Sequence, residues 1–281
     1  MTRFVVAMAC EARPLIDRYR LRAEGDESPF RVLRSPEHDL VISGVGRVAA
    51  AAATAYLAAF TSRSKLASGA WLNVGVAGHR SVRPGTALLA QRIENAATGE
   101  VWLPPRHFDS PLQATTLVCV DRVEDEYALK AAYDMESAGF WPTANRFASA
   151  ELVQCLKIVS DTPTEEVGRL TAERIEQLVA ARLDELEELR FGLDQLAAAA
   201  PISLEPALER FLENRRLSTT QQRRLRRLLQ RWDAMVDRSH EDAMCDALEV
   251  FREAPRGVGG TELLDHLERR LGSLPVRLRS G

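Results

Sequence analysis

At 281 residues, with 37 Lys and Arg against 40 Asp and Glu, the chain has room for one large domain plus an appendage and carries a formal charge of −3. That balance argues against a dedicated nucleic-acid binder and against a wholly basic membrane-surface protein. Hydrophobic residues, at 46%, suffice for a sizeable core, and no apolar run reaches the roughly 18 residues that a membrane helix needs. The opening MTRFVVAMACEARP has too short an apolar stretch for a secretory signal and reads as a first strand. Cys10, Cys119, Cys155 and Cys245 form no C-x-x-C pair and match no disulfide framework or zinc site, so reduced thiols in a cytoplasm are expected. The histidines are scattered. No metal and no cofactor are expected.

In chain order, short β-branched or apolar runs predict strands at Phe4–Met8, Leu40–Ser43, Leu72–Val76, Thr86–Ile93, Thr115–Val120 and Leu152–Val159. Between them, Arg47–Phe60 is Ala-rich with helical spacing. The strands at Leu40–Ser43 and Leu72–Val76 both run into glycine-containing segments that are predicted as turns. Strands alternating with helices predict an α/β domain over 1–199, its central sheet mainly parallel or mixed and flanked by helices. In such sheets ligands sit at the carboxyl ends of the strands.

After Pro163 the texture changes. Apolar residues from Ile175 to Leu196 recur at steps of three and four, predicting one long amphipathic helix over 165–199 with an acidic polar face. Pro201 and Pro206 break it. Helical patterns at 205–215, 218–237, 240–252 and 261–271 predict an all-helical extension over 200–281, with a capping box at Ser218–Gln221 and a loop at Gly257–Gly260. The stripe Leu225, Leu228, Leu229, Trp232, continuing through Met244, Leu248 and Phe251, predicts docking on the core domain or on a second subunit. The arginines of Gln221–Trp232 read best as a solvated basic face; docking on the acidic helix, on RNA or on another protein are the other readings.

Three segments near strand ends carry acids or close backbone approach. Met8-Ala-Cys-Glu11 follows the first strand, and a lone Glu there also suits the positive end of a helix. Ser43-Gly-Val-Gly46 and Asn73-Val-Gly-Val-Ala-Gly78 are small-residue turns that match neither a Walker A nor a dinucleotide fingerprint. Asp134-Met-Glu-Ser137 precedes a helix, and Ser160-Asp161-Thr162 ends the last strand; on its own Asp161 also reads as a helix cap. Together, three carboxylates at strand ends suit glycosidic-bond cleavage. One acid protonates the leaving group, another positions water and another holds a sugar diol.

The order AMACEARP, SGVGRVAAAAAT, NVGVAGH, DMES and KIVSDT resembles the nucleoside phosphorylase/nucleosidase superfamily over roughly residues 3–195. Its Met-x-x-Glu opening is closest to the 5′-methylthioadenosine/S-adenosylhomocysteine nucleosidase branch. The resemblance implies that Glu11 orients water and Asp161, held by Ser160, acts on purine N7. It implies that Glu136 accepts the ribose hydroxyls and that Met135 packs against the sugar. Val76, Gly78 and Lys157 fall at substrate-binding positions. The chain departs from the family pattern at several points. The stretch from Gly78 to Asp134 is short, and Val120–Glu124 contains no base-stacking aromatic. Val76 stands for a serine, and Lys157 for an arginine whose planar fork is lost. The expected function is hydrolysis of a 5′-modified adenosine in the cytoplasm, by a homo-oligomer whose partner is a small-molecule nucleoside, with no membrane or nucleic acid involved. Phosphorolysis through an anion site at Arg13, Arg47 and the Ser43–Gly46 turn is the alternative. A non-catalytic nucleoside-binding or regulatory module is the third reading.

Overall fold

The computed structural model describes residues 1–24, 28–61, 69–107, 110–124, 127–164, 170–199, 211–212, 216–235, 240–253 and 258–273. The chain divides into two compact units, Met1–Ala200 and Pro201–Gly281. In the first, the elements run β1 (Thr2–Val6), α1 (Ala9–Tyr19), β2 (Arg22–Ala23), β3 (Arg31–Arg34), β4 (His38–Ile42), α2 (Arg47–Thr61), β5 (Ala70–His79) and β6 (Ala87–Asn95). They continue through β7 (Val101–Trp102), β8 (Gln113–Cys119), β9 (Ala132–Asp134), α3 (Ser137–Ala144), β10 (Val153–Asp161), α4 (Ala172–Ala180) and α5 (Leu183–Ala199).

The ten strands form one mixed sheet in the order β10-β6-β8-β9-β5-β1-β4-β3-β2, with β7 on β6. β10 also pairs with β5, so β5, β10, β6, β8 and β9 close a ring. β1 lies parallel to β4 and β5, and β10 parallel to β5. β1 and β10 are buried along their whole length and β5 nearly so. Strands covered on both faces need no polar alternation, which is why they read as apolar runs. Phe4, Leu72, Leu156 and Ile158 face one core with Leu15 of α1, Leu178 of α4 and Leu189 of α5. Val5, Trp71, Cys155 and Val159 face a second core with Leu57 of α2 and Phe140 of α3. Helices thus cover both faces of the sheet, in the α/β class that the sequence predicts.

Three expectations need correction. β5 does not stop at its glycines; it runs to His79 with Gly75 and Gly78 inside the strand. Those glycines serve close approach instead. A Cβ at Gly75 would lie 2.7 Å from Glu11 Oε1, and one at Gly78 would run into the Tyr127 hydroxyl and ring. The single helix over 165–199 is two. α4 ends at Ala180, and the Arg182 guanidinium donates to the Gly85 carbonyl at 2.6 Å before α5 begins. Residues 165–169 lie outside the described ones. The short strands β2, β3, β7 and β9 go unpredicted because two to four residues give no readable period.

The second unit contains α6 (Thr219–Met235), α7 (His240–Glu253) and α8 (Gly260–Gly272). α6 opens with both bonds of a capping box: the Ser218 amide donates to Gln221 Oε1 at 2.9 Å, and the Gln221 amide to Ser218 Oγ at 3.3 Å. The stripe read as a docking face is consumed inside this unit. Leu225, Leu228, Leu229, Trp232, Met244, Leu248 and Phe251 are buried in one core with Leu263, Leu264, Leu267 and Leu271 of α8. The predicted segment 205–215 and the residue Gly257 fall largely or wholly outside the described residues. Among the described residues, no helix is long and apolar enough to cross a membrane.

Candidate active site

Parallel pairing of β1, β5 and β10 places the segments after β1 and at the ends of β5 and β10 side by side. The last pair is irregular: Val159 faces Ala77, but Asp161 faces Gly78. The register shift aims Asp161 at the strand end, as bulges beside sites commonly do. β9 pairs with β5 at Gly78–Tyr133 and delivers Asp134, Met135 and Glu136 to the same place. The result is a cavity of about 300 Å³, lined among others by Glu11, Val76, Gly78, Met135, Glu136, Ser160 and Asp161. Lys157 does not line it but lies buried directly behind.

Glu11 is 2% exposed and is held by two backbone amides. Met8 N–H donates to Oε2 at 2.9 Å, and Val76 N–H donates to Oε1 at 2.8 Å. The first bond tethers it across the first turn of α1; the second ties it to β5, where Gly75 leaves it room. Val76 therefore contributes its amide rather than its side chain. Burial pushes the Glu11 carboxyl up, and Lys157 and the two amides pull it back, leaving it at about 7. A carboxyl poised there exchanges protons near neutrality.

Glu136 accepts from the Gly46 amide at 2.9 Å through Oε1, and its Oε2 lies 3.5 Å from Lys157 Nζ. Lys157 Nζ also meets Asp134 Oδ2 at 2.9 Å. Asp134 in turn accepts from the Ser137 hydroxyl at 2.6 Å and the Ser137 amide at 2.9 Å, closing the start of α3. Lys157 is 1% exposed. Desolvation works against its charge, but Asp134, Glu136 and Glu11 outweigh it and raise its pKa. One buried cation thus ties Asp134 and Glu136 together.

Asp161 is held differently. Ser160 Oγ donates to Oδ1 at 2.5 Å, and the Tyr127 hydroxyl bonds Oδ2. Sequence reading missed Tyr127, Tyr133, Asp134 as a Lys157 partner, and the Gly46 amide. Both tyrosines line the cavity, so the aromatic surface absent from Val120–Glu124 comes from residues just beyond it. Tyr133 had a signal, since it precedes the Asp134–Ser137 motif directly; Tyr127 had only its nearness to Glu124.

The residues that the phosphorolysis reading draws on already have partners. Arg47 makes a bidentate pair with Asp121, at 2.8 and 2.9 Å, and donates to Asn95 Oδ1 at 3.0 Å. Arg13 pairs with Asp17 at 3.2 Å and lines a separate cleft with Cys10 and Glu176. The amide before α2, at Gly46, already serves Glu136.

No protein-family model matches the chain, and no curated protein matches it in sequence. Its likeness is to solved structures. The 5′-methylthioadenosine nucleosidase of Arabidopsis thaliana, in apo form, gives a TM-score of 0.53 at 19% identity, over 70% of this chain and 95% of that one. The 5′-methylthioadenosine/S-adenosylhomocysteine nucleosidase of Helicobacter pylori, bound to butyl-thio-DADMe-Immucillin-A, gives 0.52 at 15% identity, over 67% and 96%. A mutant futalosine hydrolase of Helicobacter pylori gives 0.51 at 13% identity, over 67% and 97%. With the carboxyl ends of β1, β5 and β10 gathered around one cavity, this chain has the nucleoside phosphorylase/nucleosidase-like fold.

Proposed function

We propose that the protein hydrolyses the N-glycosidic bond of a purine nucleoside, with a 5′-modified adenosine as the preferred substrate. The observation that carries this reading is the convergence of Glu11, Glu136 and Asp161 on one cavity from three strand ends, with the Glu11 carboxyl poised at about 7. Structural likeness to nucleosidases that act on or bind methylthioadenosine and its analogues supports the substrate class.

The chemistry follows from the roles those positions allow. A proton carried by Asp161 passes to N7 of the base, so the N9–C1′ bond breaks with its electron pair leaving on the purine. The sugar becomes oxocarbenium-like, and Glu136 stabilises it by accepting hydrogen bonds from its 2′ and 3′ hydroxyls. Water attacks C1′ and passes its proton to Glu11. Solvent returns one proton to Asp161 and removes one from Glu11. Met135 packs against the sugar, while Lys157 holds Glu136 in place.

Hydrolysis is favoured over phosphorolysis because Arg47 is engaged by Asp121 and the Gly46 amide by Glu136, leaving no prepared cradle for phosphate at that turn. The test is incubation of the full chain with a panel of nucleosides, with and without phosphate, followed by chromatography of base and sugar. Free base with free ribose, independent of phosphate, is expected. Ribose 1-phosphate would establish the phosphorylase instead, and binding without free base would leave a nucleoside-binding module.

A further inference from the structure

We propose that Tyr127 is an internal ligand of the candidate acid: in the substrate-free protein its hydroxyl occupies the side of Asp161 that the purine base must reach, so Tyr127 sets how tightly the base is held. This rests on the reading of Asp161 as the base-facing acid.

The placement of Tyr127 is built by several independent features. Its hydroxyl bonds Asp161 Oδ2 while Ser160 takes Oδ1, so both carboxyl oxygens are engaged. The residue is 3% exposed, and its ring lies 5.2 Å from that of Tyr133. Its hydroxyl end fills the space left by the absent Cβ of Gly78. Its backbone has a φ of 46°, a left-handed conformation that is uncommon for a bulky aromatic. Arg80 fastens the segment from the other side, donating to the carbonyls of Tyr127 at 3.1 Å and Ala128 at 2.7 Å.

A ring fixed in that way cannot be ignored by a ligand. Tyr127 and Asp161 line the same cavity, and the phenol hydroxyl bonds Asp161 Oδ2. The Tyr127 hydroxyl donates to Oδ2, whereas N7 is an acceptor and needs a proton on that oxygen. A base that reaches Asp161 through N7 must therefore displace the phenol and exchange one hydrogen bond for another. Base affinity is then the difference between the two bonds rather than the full value of the new one. Ser160 makes no such competition, because it precedes Asp161 on β10 and takes the opposite oxygen.

Tyr127→Phe removes the competing hydroxyl and keeps the ring against Tyr133 and Gly78. The experiment is calorimetric titration of the full chain and of this variant with adenine, and with 7-deazaadenine, which lacks the N7 acceptor. The variant is expected to bind adenine about tenfold tighter or more, the scale of one hydrogen bond to an ionisable group. It is expected to gain little for 7-deazaadenine. An equal gain for both bases would mean added room rather than a released acid, and would overturn the proposal. So would unchanged or weaker adenine binding in the variant, or no adenine binding by either protein. Turnover separates this inference from the proposed function. Free base released by the parent with no change in adenine affinity in the variant leaves the nucleosidase standing and removes the role of Tyr127. Tighter adenine without any turnover does the reverse.

Discussion

Glu11 and Asp161 close the candidate cavity from two sides, and they are held by different kinds of donor. The donors to Glu11 are the amides of Met8 and Val76, set by a helix turn and a central strand. The partners of Asp161 are the hydroxyls of Ser160 and Tyr127. Backbone donors on regular elements are fixed in advance and cost no reorganisation when charge develops. Hydroxyls rotate, and one substitution removes them. The difference makes the Glu11 side a rigid seat set by the backbone, and leaves the Asp161 side dependent on two side-chain hydroxyls.

The sharpest way to break this comparison is to remove each acid and change the leaving group. Asp161→Asn should slow turnover of an ordinary nucleoside by about 10²–10⁴-fold, the usual scale for a positioned acid. A nucleoside with an activated base should recover much of that loss, since its departure needs little protonation. Glu11→Gln should lose activity on both substrates. Its amide can accept from only one of the Met8 and Val76 N–H groups, leaving the other unmet. Rescue of Glu11→Gln but not of Asp161→Asn would exchange the two roles, and full activity in both variants would end the hydrolase reading.

The same division explains what could be read from the chain before its fold was known. Glu11, Glu136 and Asp161 are side chains at strand ends, so their residue types and order announce them. β1, β5 and β10 announce themselves too, because burial on both faces leaves continuous apolar runs. The Val76 and Gly46 amides are invisible in a sequence, since every residue but proline carries one. Gly75 and Gly78 look like turn residues because the partners that require them, Glu11 and Tyr127, arrive from distant parts of the chain. The stripe on α6 looks like a docking face for a similar reason: its partners on α7 and α8 follow it in separate helical patterns.

Lys157 offers the next largest effect. It bridges Asp134 and Glu136 with almost no exposure, so Lys157→Met leaves two buried carboxylates without their cation. Breaking such a pair by removing one partner costs about 3–5 kcal/mol. A urea titration should register that loss, and an unchanged midpoint would show that the acids find other partners. Glu136→Gln should be milder, because the amide oxygen still accepts from Gly46. In the proposed reaction it weakens hydrogen bonds to the ribose hydroxyls worth about 1.5–3 kcal/mol each. A 2′,3′-dideoxy nucleoside, poor in the parent, should lose little further in the variant. Equal losses on both substrates would detach Glu136 from the diol.

The smallest expected effect is a slope, and it sharpens the rigid side of the comparison. In the proposed reaction Glu11 acts as a base only as the carboxylate. With its pKa raised by burial to about 7, kcat/KM should fall about tenfold per pH unit below that point. Lys157 is the largest of the influences lowering the Glu11 pKa, so Lys157→Met should move this limb to higher pH. Glu11→Gln should abolish the limb. Stability should run the other way over the same window. Between about 4.5 and about 7 the folded protein holds a proton on Glu11 that the unfolded chain has released. The contribution is therefore fully present below the lower value and is lost as pH rises through the upper one. Measured as the difference between the parent and Glu11→Gln, which cancels the titration of other groups, urea stability should decline from pH 5 to pH 8 while activity climbs. A parent whose kcat/KM, and whose stability difference from Glu11→Gln, are both flat across that range would mean that Glu11 is ionised throughout, and that the two amides and Lys157 outweigh its burial.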